Sequence, residues 1–192
     1  MAVRKIRVGS GWFGCATLGQ ALQRAGEGDV IMLGAGARPD GAPLEVLHSL
    51  TLRAAPGVAH ATLFDPLLVS AGTLRIEGLR VGAPIVVSGS GRLEVQDAEW
   101  AGGSSGSEVL RVDGGAALVR GSRFAGGSVG VRAGQLELIG CDLAPVASAA
   151  LQVQGSGQLV LRQCRVRQDE AVGLLLAQQG EARLDDVAFT GL

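Results

Sequence analysis

Short segments in which apolar and polar residues alternate run along most of the chain, and one three-part arrangement of them recurs. Residues 151–166, LQVQGSGQLVLRQCRV, contain two alternating segments around a GSG turn and a third apolar piece that ends in Cys164 and Val166. Apolar residues two positions apart lie on one face of a β-strand. The same arrangement recurs at 85–100, 110–124, 129–143 and 174–189. Repetition at this length is typical of a solenoid in which each repeat is one turn.

The copies align on the first apolar residue of the middle strand and follow one another at intervals of 19 to 24 residues. From that residue, apolar side chains recur at offsets of 0, +2, +5 and +7. The aligned residues are Leu74, Leu93, Ala117, Leu136, Leu159 and Ala182, with a fainter copy at Leu50. We expect each offset to form an inward row; the row at +5 is Leu79, Ala98, Ser122, Cys141, Cys164 and Val187.

Two corners separate the three strands of each copy. The jump from offset +2 to offset +5 predicts one corner, and glycine occupies it in three copies, at Gly78, Gly121 and Gly140. The other corner carries GSG or GG, at 89–91, 114–115 and 155–157. We expect positive φ angles there, because glycine adopts them without steric cost.

Three short strands in a turn of about twenty residues predict a coil of a parallel β-helix. One coil cannot bury its own inward face, so coils stack about 4.8 Å apart and share one core. A leucine-rich repeat would need a helix or a fixed Asn in each unit, and the chain contains no Asn. A propeller blade would need about forty residues and four antiparallel strands.

The N-terminal part of the chain differs from the repeats. It predicts a strand at Val3–Val8 and a short amphipathic helix at Leu18–Ala25, with Thr17 as N-cap and Gly26 as the stop. We expect this helix to lie across the open end of the first coil. Further strands are predicted at Val30–Leu33, Leu44–Val46 and Leu50–Arg53. The whole chain, 1–192, is predicted to be one domain, with the cap and first coil at 1–43 and regular coils at 44–192.

These residues also carry a family resemblance. The run ATLGQALQRAGEGDVIMLGAG, followed by PLEVLHSLTLRAAPG and GTLRIEGLRV, resembles the opening of pectin-lyase-like right-handed parallel β-helix proteins, in which a capping helix precedes a GD-x-I-x-L-x-x-G strand. The resemblance implies an all-β fold, a right-handed parallel β-helix of about seven coils with a short N-terminal capping helix. By the same resemblance, such β-helices are also fused to AAA-type ATPase domains in bacteria.

Composition narrows the classes of partner. With 192 residues and a net charge of -1, the chain offers no electrostatic footprint for nucleic acid or for an anionic membrane surface. The start, MAVRKIRVGSG, has no apolar run behind its basic residues and does not predict a signal peptide. No run of eighteen apolar residues predicts a membrane span. The expected location is therefore the cytoplasm.

Cofactor and metal sites are not predicted. The sequence GxGxxG at Gly9, Gly11 and Gly14 precedes the helix by three residues, whereas dinucleotide binding places these glycines at the helix N-terminus. We interpret it as a turn into the cap. Cys141 and Cys164 share one offset in successive copies and are predicted to stack as small apolar core residues. The only histidines, His48 and His60, lie outside the regular coils.

Catalytic residues are not predicted either, although the resemblance implies that an enzyme has to be considered. Its polysaccharide lyases use Asp-rich calcium sites, and its hydrolases use paired Asp residues. Carboxylate pairs occur here at Asp169–Glu170 and Asp185–Asp186, but the position equivalent to Asp185 in the preceding coil is Arg162. Sugar-stacking side chains are scarce, since the chain has no Tyr and 3% aromatic residues. Trp100, Phe124 and Phe189 share an inward row and are predicted to be core.

The function that these features favour is a non-catalytic β-helix scaffold or protein-interaction module, with a carbohydrate-binding or carbohydrate-cleaving β-helix as the alternative. The longest loop is predicted to protrude, and it forms an interaction candidate or a solvated turn: Gly102, Gly103, Ser104, Ser105, Gly106, Ser107 and Glu108. The repeats end at Phe189 with no capping helix, which predicts an open last coil. A further domain of a longer protein, a protein partner or a homodimer through the coil ends would cover it.

A row of outward charges completes the predicted features. The residue between offsets +5 and +7 alternates in sign along consecutive coils: Arg80, Glu99, Arg123, Asp142 and Arg165. Neighbours in this charge ladder are predicted to lie one strand spacing apart, about 4.8 Å. We hypothesise that the ladder favours the correct stacking register.

Replacing Glu99 tests the ladder. Glu99→Arg puts a third like charge between Arg80 and Arg123, whereas Glu99→Gln only removes the attraction. An exposed pair contributes roughly 0–1 kcal/mol, and 1 kcal/mol shifts the Tm of a domain of this size by about 2–4 °C. We expect the reversal to lower Tm by more than the neutralisation does, measured by thermal unfolding. Equal melting temperatures for the two variants would contradict the ladder.

Overall fold

A computed structural model describes residues 3–9, 14–59, 61–101, 107–144, 151–167 and 175–190, and in these residues short strands wind into a parallel β-solenoid of about seven turns. The described residues are mostly in strands, and the only helix among them is short. In chain order the elements are β1 (Lys5–Val8), α1 (Leu18–Arg24), β2 (Asp29–Leu33), β3 (Leu44–Val46), β4 (Leu50–Ala54), β5 (Thr62–Leu63), β6 (Leu67–Val69), β7 (Thr73–Glu77), β8 (Arg80–Val81), β9 (Ile85–Val87), β10 (Arg92–Gln96), β11 (Glu99–Trp100), β12 (Glu108–Val112), β13 (Ala116–Arg120), β14 (Arg123–Phe124), β15 (Ser128–Val131), β16 (Gln135–Ile139), β17 (Asp142–Leu143), β18 (Leu151–Gln154), β19 (Gln158–Arg162), β20 (Arg165–Arg167), β21 (Leu175–Gln178), β22 (Glu181–Asp185) and β23 (Ala188–Thr190).

The strands form three parallel sheets, and each pairing joins one coil to the next. Sheet 1 has nine strands in the order β1-β2-β4-β7-β10-β13-β16-β19-β22. Sheet 2 runs from β5 through β8, β11, β14, β17 and β20 to β23, and sheet 3 from β3 through β6, β9, β12, β15 and β18 to β21. The aligned residues are in register, as Leu74 with Leu93 and Leu136 with Leu159. The predicted all-β solenoid with one short helix is confirmed.

The core is the stack of inward rows. Leu93, Val95, Leu136 and Leu138 of sheet 1 are buried in one hydrophobic cluster. The predicted row at offset +5 is also continuous, because the residue after each member donates its N–H to the carbonyl of the preceding member, as from Glu99 to Leu79 and from Arg165 to Cys141. Burying one large apolar side chain contributes roughly 1.5–3 kcal/mol. The rows therefore contribute much of the stability of the stack.

The corner after each sheet-1 strand has one conformation from β7 onward. Its residue has a φ angle between +53° and +61° in six consecutive coils: Gly78, Asp97, Gly121, Gly140, Gln163 and Asp186. The sequence prediction, which relied on glycine, therefore identified three of these six corner residues. The backbone N–H of this residue donates to the next coil, as from Gln163 to the Asp185 carbonyl oxygen at 2.9 Å. Stacking thus supports a left-handed conformation even for Gln163.

At the other corner glycine is required for two reasons: the backbone has a positive φ angle, and the neighbouring coil leaves no room for a Cβ atom. Gly115 has φ +69°, and a Cβ there would overlap the carbonyl oxygen of Gly91 in the preceding coil. Gly91 itself faces the carbonyl of Val69, so the glycines form a column in which backbones touch. The positive φ angles predicted at 89–91, 114–115 and 155–157 occur at Gly89, Gly115 and Gly155.

The capping helix α1 lies at the N-terminal end of the solenoid. Thr17 accepts a hydrogen bond from the Gln20 N–H at 3.3 Å, as an N-cap does, and Leu18 and Ala21 are buried in the common core. The predicted C-terminus was wrong by one residue. The helix ends at Arg24, and the extended Ala25 is its C-cap, so Gly26 does not provide a left-handed stop.

The reason for this end is an ion pair that the sequence pattern does not reveal. The Asp29 carboxylate accepts hydrogen bonds from the Gly26 N–H (2.8 Å), the Arg4 N–H (2.9 Å) and the Arg4 guanidinium (2.7 Å). Arg4 also donates to the Arg24 carbonyl oxygen at the helix end (3.0 Å). The Gly26 N–H and then the Arg4 side chain lower the pKa of Asp29 from 3.8 to about 2. This Arg4–Asp29 clasp fastens β1 and α1 to β2.

The clasp predicts a pH dependence. A lowered pKa means that the stabilisation is complete above the ordinary pKa of Asp29 and is lost as the pH falls toward 2. We expect Asp29→Asn to be less stable than the wild type at pH 7, and the difference in unfolding free energy to shrink between about pH 4 and pH 2. Urea denaturation across this range measures it. Glu77→Gln is a control on an exposed carboxylate, and an Asp29→Asn difference that stays constant with pH would contradict the clasp.

Candidate interaction surface at the C-terminal coil

The last coil presents core positions to solvent. Leu184 and Phe189 are 43% and 38% exposed, whereas the residues that pair with them in the preceding coil, Leu161 and Val166, are 0% exposed. Ala182 is partly buried, although its partner Leu159 is buried. These side chains have the inward orientation of the repeat and lack a following coil in the described residues. The result is an apolar end surface on the solenoid.

The backbone of this coil also has hydrogen-bonding groups that find no partner among the described residues. Glu181 donates its N–H to the Gly157 carbonyl (3.0 Å), and the Asp185 carbonyl accepts from Gln163 (2.9 Å), so both residues face the preceding coil. Because successive residues of a strand point their backbone groups to opposite sides, Ala182 and Leu184 point theirs toward the open end. β22 is therefore an edge strand with two outward-facing N–H and C=O pairs.

Charged side chains flank the two apolar residues of β22. Glu181, Arg183 and Asp185 alternate with Ala182 and Leu184, and all three charged residues are exposed. Among the described residues, the ion pairs do not include any of these three charges. Sequence reasoning singled out Asp185 only as a candidate acid and missed the strand as a surface. The signal that would have identified this surface is the alternation of negative, positive and negative side chains, Glu181, Arg183 and Asp185, on one face of the strand.

The N-terminal end differs because it is covered. Gly19, Leu22 and Gln23 of α1 border β3, the first strand of sheet 3, across a groove of about 310 Å³, and Leu18 lies beside Leu63 of β5, the first strand of sheet 2. The helix thus closes this end of the core, as predicted. Exposed apolar side chains also occur near it, at Leu47 and Phe64. These two follow strands β3 and β5 and do not belong to the inward rows.

The predicted interaction loop lies mostly outside the described residues, which omit 102–106. Glu108 begins β12, and its carboxylate binds Arg132 at 3.1 Å and Arg111 at 3.6 Å. Asp113 binds Arg111 at 2.8 Å. The Ser107 carbonyl accepts the Ser128 N–H at 2.9 Å. The described end of the loop is therefore held by hydrogen bonds and by ion pairs within sheet 3.

The predicted charge ladder lies in consecutive strands. Glu99 is paired in register with both Arg80 and Arg123, and Asp142 with both Arg123 and Arg165. Among the described residues, one ion pair involves a ladder member. It joins Asp142 to Arg167 at 2.8 Å, and Arg167 lies two residues after Arg165 in the same strand. The electrostatic role of the ladder remains a prediction.

The outer face of sheet 1 contains a shallow groove of about 300 Å³. Its lining includes Glu94, Leu118, Glu137 and the amide pair Gln135–Gln158, whose side chains are bonded at 3.0 Å. Ion pairs engage both carboxylates, Glu94 with Arg75 at 2.9 Å and Glu137 with Arg162 at 3.2 Å. The lining contains no aromatic side chain. The face is one of mixed charge, in which both lining carboxylates are paired.

The predicted core cysteines are buried and free, and they precede paired strands. The neighbouring Cys164 thiol and burial raise the pKa of the Cys141 thiol, so it stays neutral. In the aromatic row, Trp100 and Phe124 are buried and stack with ring centroids 4.3 Å apart. The prediction that Phe189 is a core residue is wrong, because its side chain is exposed and no described coil follows it.

The remaining sequence candidates do not form a catalytic or metal site among the described residues. Asp185 ends β22 and Asp186 is the next corner residue, while Asp169–Glu170, His60 and residues 10–13 of the glycine motif lie outside the described residues. Within the described ranges, no group of three or more His, Cys, Asp or Glu side chains could hold a metal ion. A helix of sufficient length and hydrophobicity to cross a membrane is not found among the same residues.

Comparison with protein-family models, with curated proteins and with solved structures finds no significant match for this chain.

Matched alanine substitutions in neighbouring coils test the open end. Leu161→Ala removes a fully buried side chain and is expected to lower the unfolding free energy by about 2–5 kcal/mol. Leu184→Ala, at the same position one coil later, is expected to cost about 1 kcal/mol or less in dilute protein, because Leu184 is already half exposed. Denaturant titration at low protein concentration measures both. Similar costs at the two positions would mean that Leu184 is buried in solution.

Proposed function

We propose that the chain is a non-catalytic β-helix scaffold, a protein-interaction module that binds a protein surface end-on through its C-terminal coil. The observation that carries the proposal is the exposure of Leu184 and Phe189 at positions that are buried in the preceding coil. Native proteins cover apolar ends and free strand edges, because both promote association. A protein partner or a further domain would complete the last coil.

The resemblance of the cap and first strands supports a finer assignment. We place the solenoid among pectin-lyase-like right-handed β-helices, as a non-catalytic member that serves in the bacterial cytoplasm. On this proposal it is one domain of a longer protein, such as an AAA-type ATPase. The rigid stack would then hold its end surface at a fixed distance and orientation from the cap.

The alternative of a carbohydrate-binding or carbohydrate-cleaving module would use the groove on sheet 1. Such a site needs converging free carboxylates or exposed aromatic platforms. Glu94 and Glu137 are instead engaged by Arg75 and Arg162. The mixed charge of this face therefore favours the scaffold.

Photo-crosslinking distinguishes end-on binding from use of the side face. We would introduce p-benzoylphenylalanine at Phe189, or at Leu118 in the sheet-1 groove as the matched control, in cells that produce the protein. We expect a covalent protein adduct from position 189 and none from position 118. Adducts from 118 alone, or from neither position, would contradict the proposed function.

A further inference from the structure

We propose that the partner of the C-terminal coil is a second copy of this chain, paired through β22 in antiparallel register with Leu184 on the two-fold axis. The inference rests on the proposed function of the coil as an interface. It adds the identity of the partner and the register of the contact.

The two ends of the solenoid determine which self-association is open to it. A head-to-tail contact would have to bring the C-terminal coil against the end that α1 covers through Leu18 and Leu22. Two C-terminal ends can meet without displacing the helix. A contact between identical surfaces is isologous and closes as a two-fold dimer, so it does not grow into a filament. An axis through the centre of β22 also brings β23 of each copy opposite the partner's β21.

The backbone of β22 fits an antiparallel partner at Leu184. The N–H and C=O groups of Ala182 and Leu184 point toward the open end, as deduced from the bonds of Glu181 and Asp185 to the preceding coil. With Leu184 on the axis, the two Leu184 residues would exchange both N–H···O=C bonds as a hydrogen-bonded pair. Their exposed side chains would face the shared interior. The contact would cover the strand's largest exposed apolar side chain.

Charge supports the same register. With Leu184 on the axis, Arg183 lies directly opposite Asp185 of the second copy, and symmetry makes this attraction twice. A two-fold axis at Arg183 would instead oppose the two Arg183 side chains and place Glu181 against Asp185. Directly opposed like charges destabilise a sheet. An axis at Ala182 would pair Glu181 with Arg183 but would leave Leu184 opposite Gly180, with no apolar contact.

Charge reversal with rescue tests the register in the purified chain. By sedimentation velocity we expect the wild type to form dimers of twice the 19.5 kDa chain mass. Arg183→Glu and Asp185→Arg should each raise the dimer Kd roughly tenfold or more, since each creates two like-charge contacts. The double variant should return Kd to near the wild-type value. The double variant still has an arginine at position 185, next to Arg162 of the same chain. A restored Kd would therefore report the contact between the two copies and not this contact within one chain.

Three other results would overturn the inference or its register. A monomeric wild type at all accessible concentrations overturns the inference, while a position-189 adduct to a different protein would leave the proposed function standing. A dimer that weakens with Arg183→Glu but not with Asp185→Arg overturns the Leu184 register in favour of the axis at Ala182. A dimer that Asp185→Arg strengthens indicates the axis at Arg183 and also overturns it.

Cysteine cross-linking gives a second measurement that does not depend on charge. In a hydrogen-bonded antiparallel pair the Cα atoms are about 5.5 Å apart, within the range that a disulfide spans. We expect Leu184→Cys to form a covalent dimer on oxidation with copper–phenanthroline, and Arg183→Cys not to. The native cysteines are buried and give a low background. Cross-linking of Arg183→Cys without that of Leu184→Cys would overturn the proposed register.

Discussion

The structure depends on hydrogen bonds between successive coils. The strands are two to five residues long and find their partners about one turn away in sequence, as Arg165 does with the Cys141 carbonyl oxygen and Ala188 with that of Cys164. A coil in isolation would leave these groups unpaired and its apolar rows in water. Each coil is therefore stable only as part of the stack, and its two neighbours determine its conformation.

This dependence explains which parts of the fold could be predicted. The inward rows were predictable because burial between neighbours demands an apolar or small residue at every step, even where Ser122 or Cys141 stands in place of a larger side chain. Ser122 fits because its hydroxyl donates to the Arg120 carbonyl and accepts the Ala98 N–H. The corners were predictable only in part. Glycine reveals a left-handed corner, but Gln163 adopts one because the stack binds its N–H, and residue type does not record that.

The side-chain ion pairs were less accessible to sequence reasoning. Asp142 forms its ion pair with Arg167 and not with the directly stacked Arg165, and the repeat pattern shows only the stacked position. Arg4 and Asp29 are 25 residues apart and belong to no repeat, so periodicity does not connect them. The outward-facing backbone groups of β22 could not be predicted, because the repeat does not show which N–H and C=O groups face the preceding coil.

The position of the Arg4–Asp29 clasp has a consequence for biosynthesis. All of its groups, with the helix that it fastens, lie within residues 4–29, so they leave the ribosome before any regular coil. Each later coil then emerges after the coil that carries its hydrogen-bonding partners. Synthesis from N- to C-terminus and growth of the stack thus proceed in the same direction, and a nascent coil is not required to wait for a distant partner.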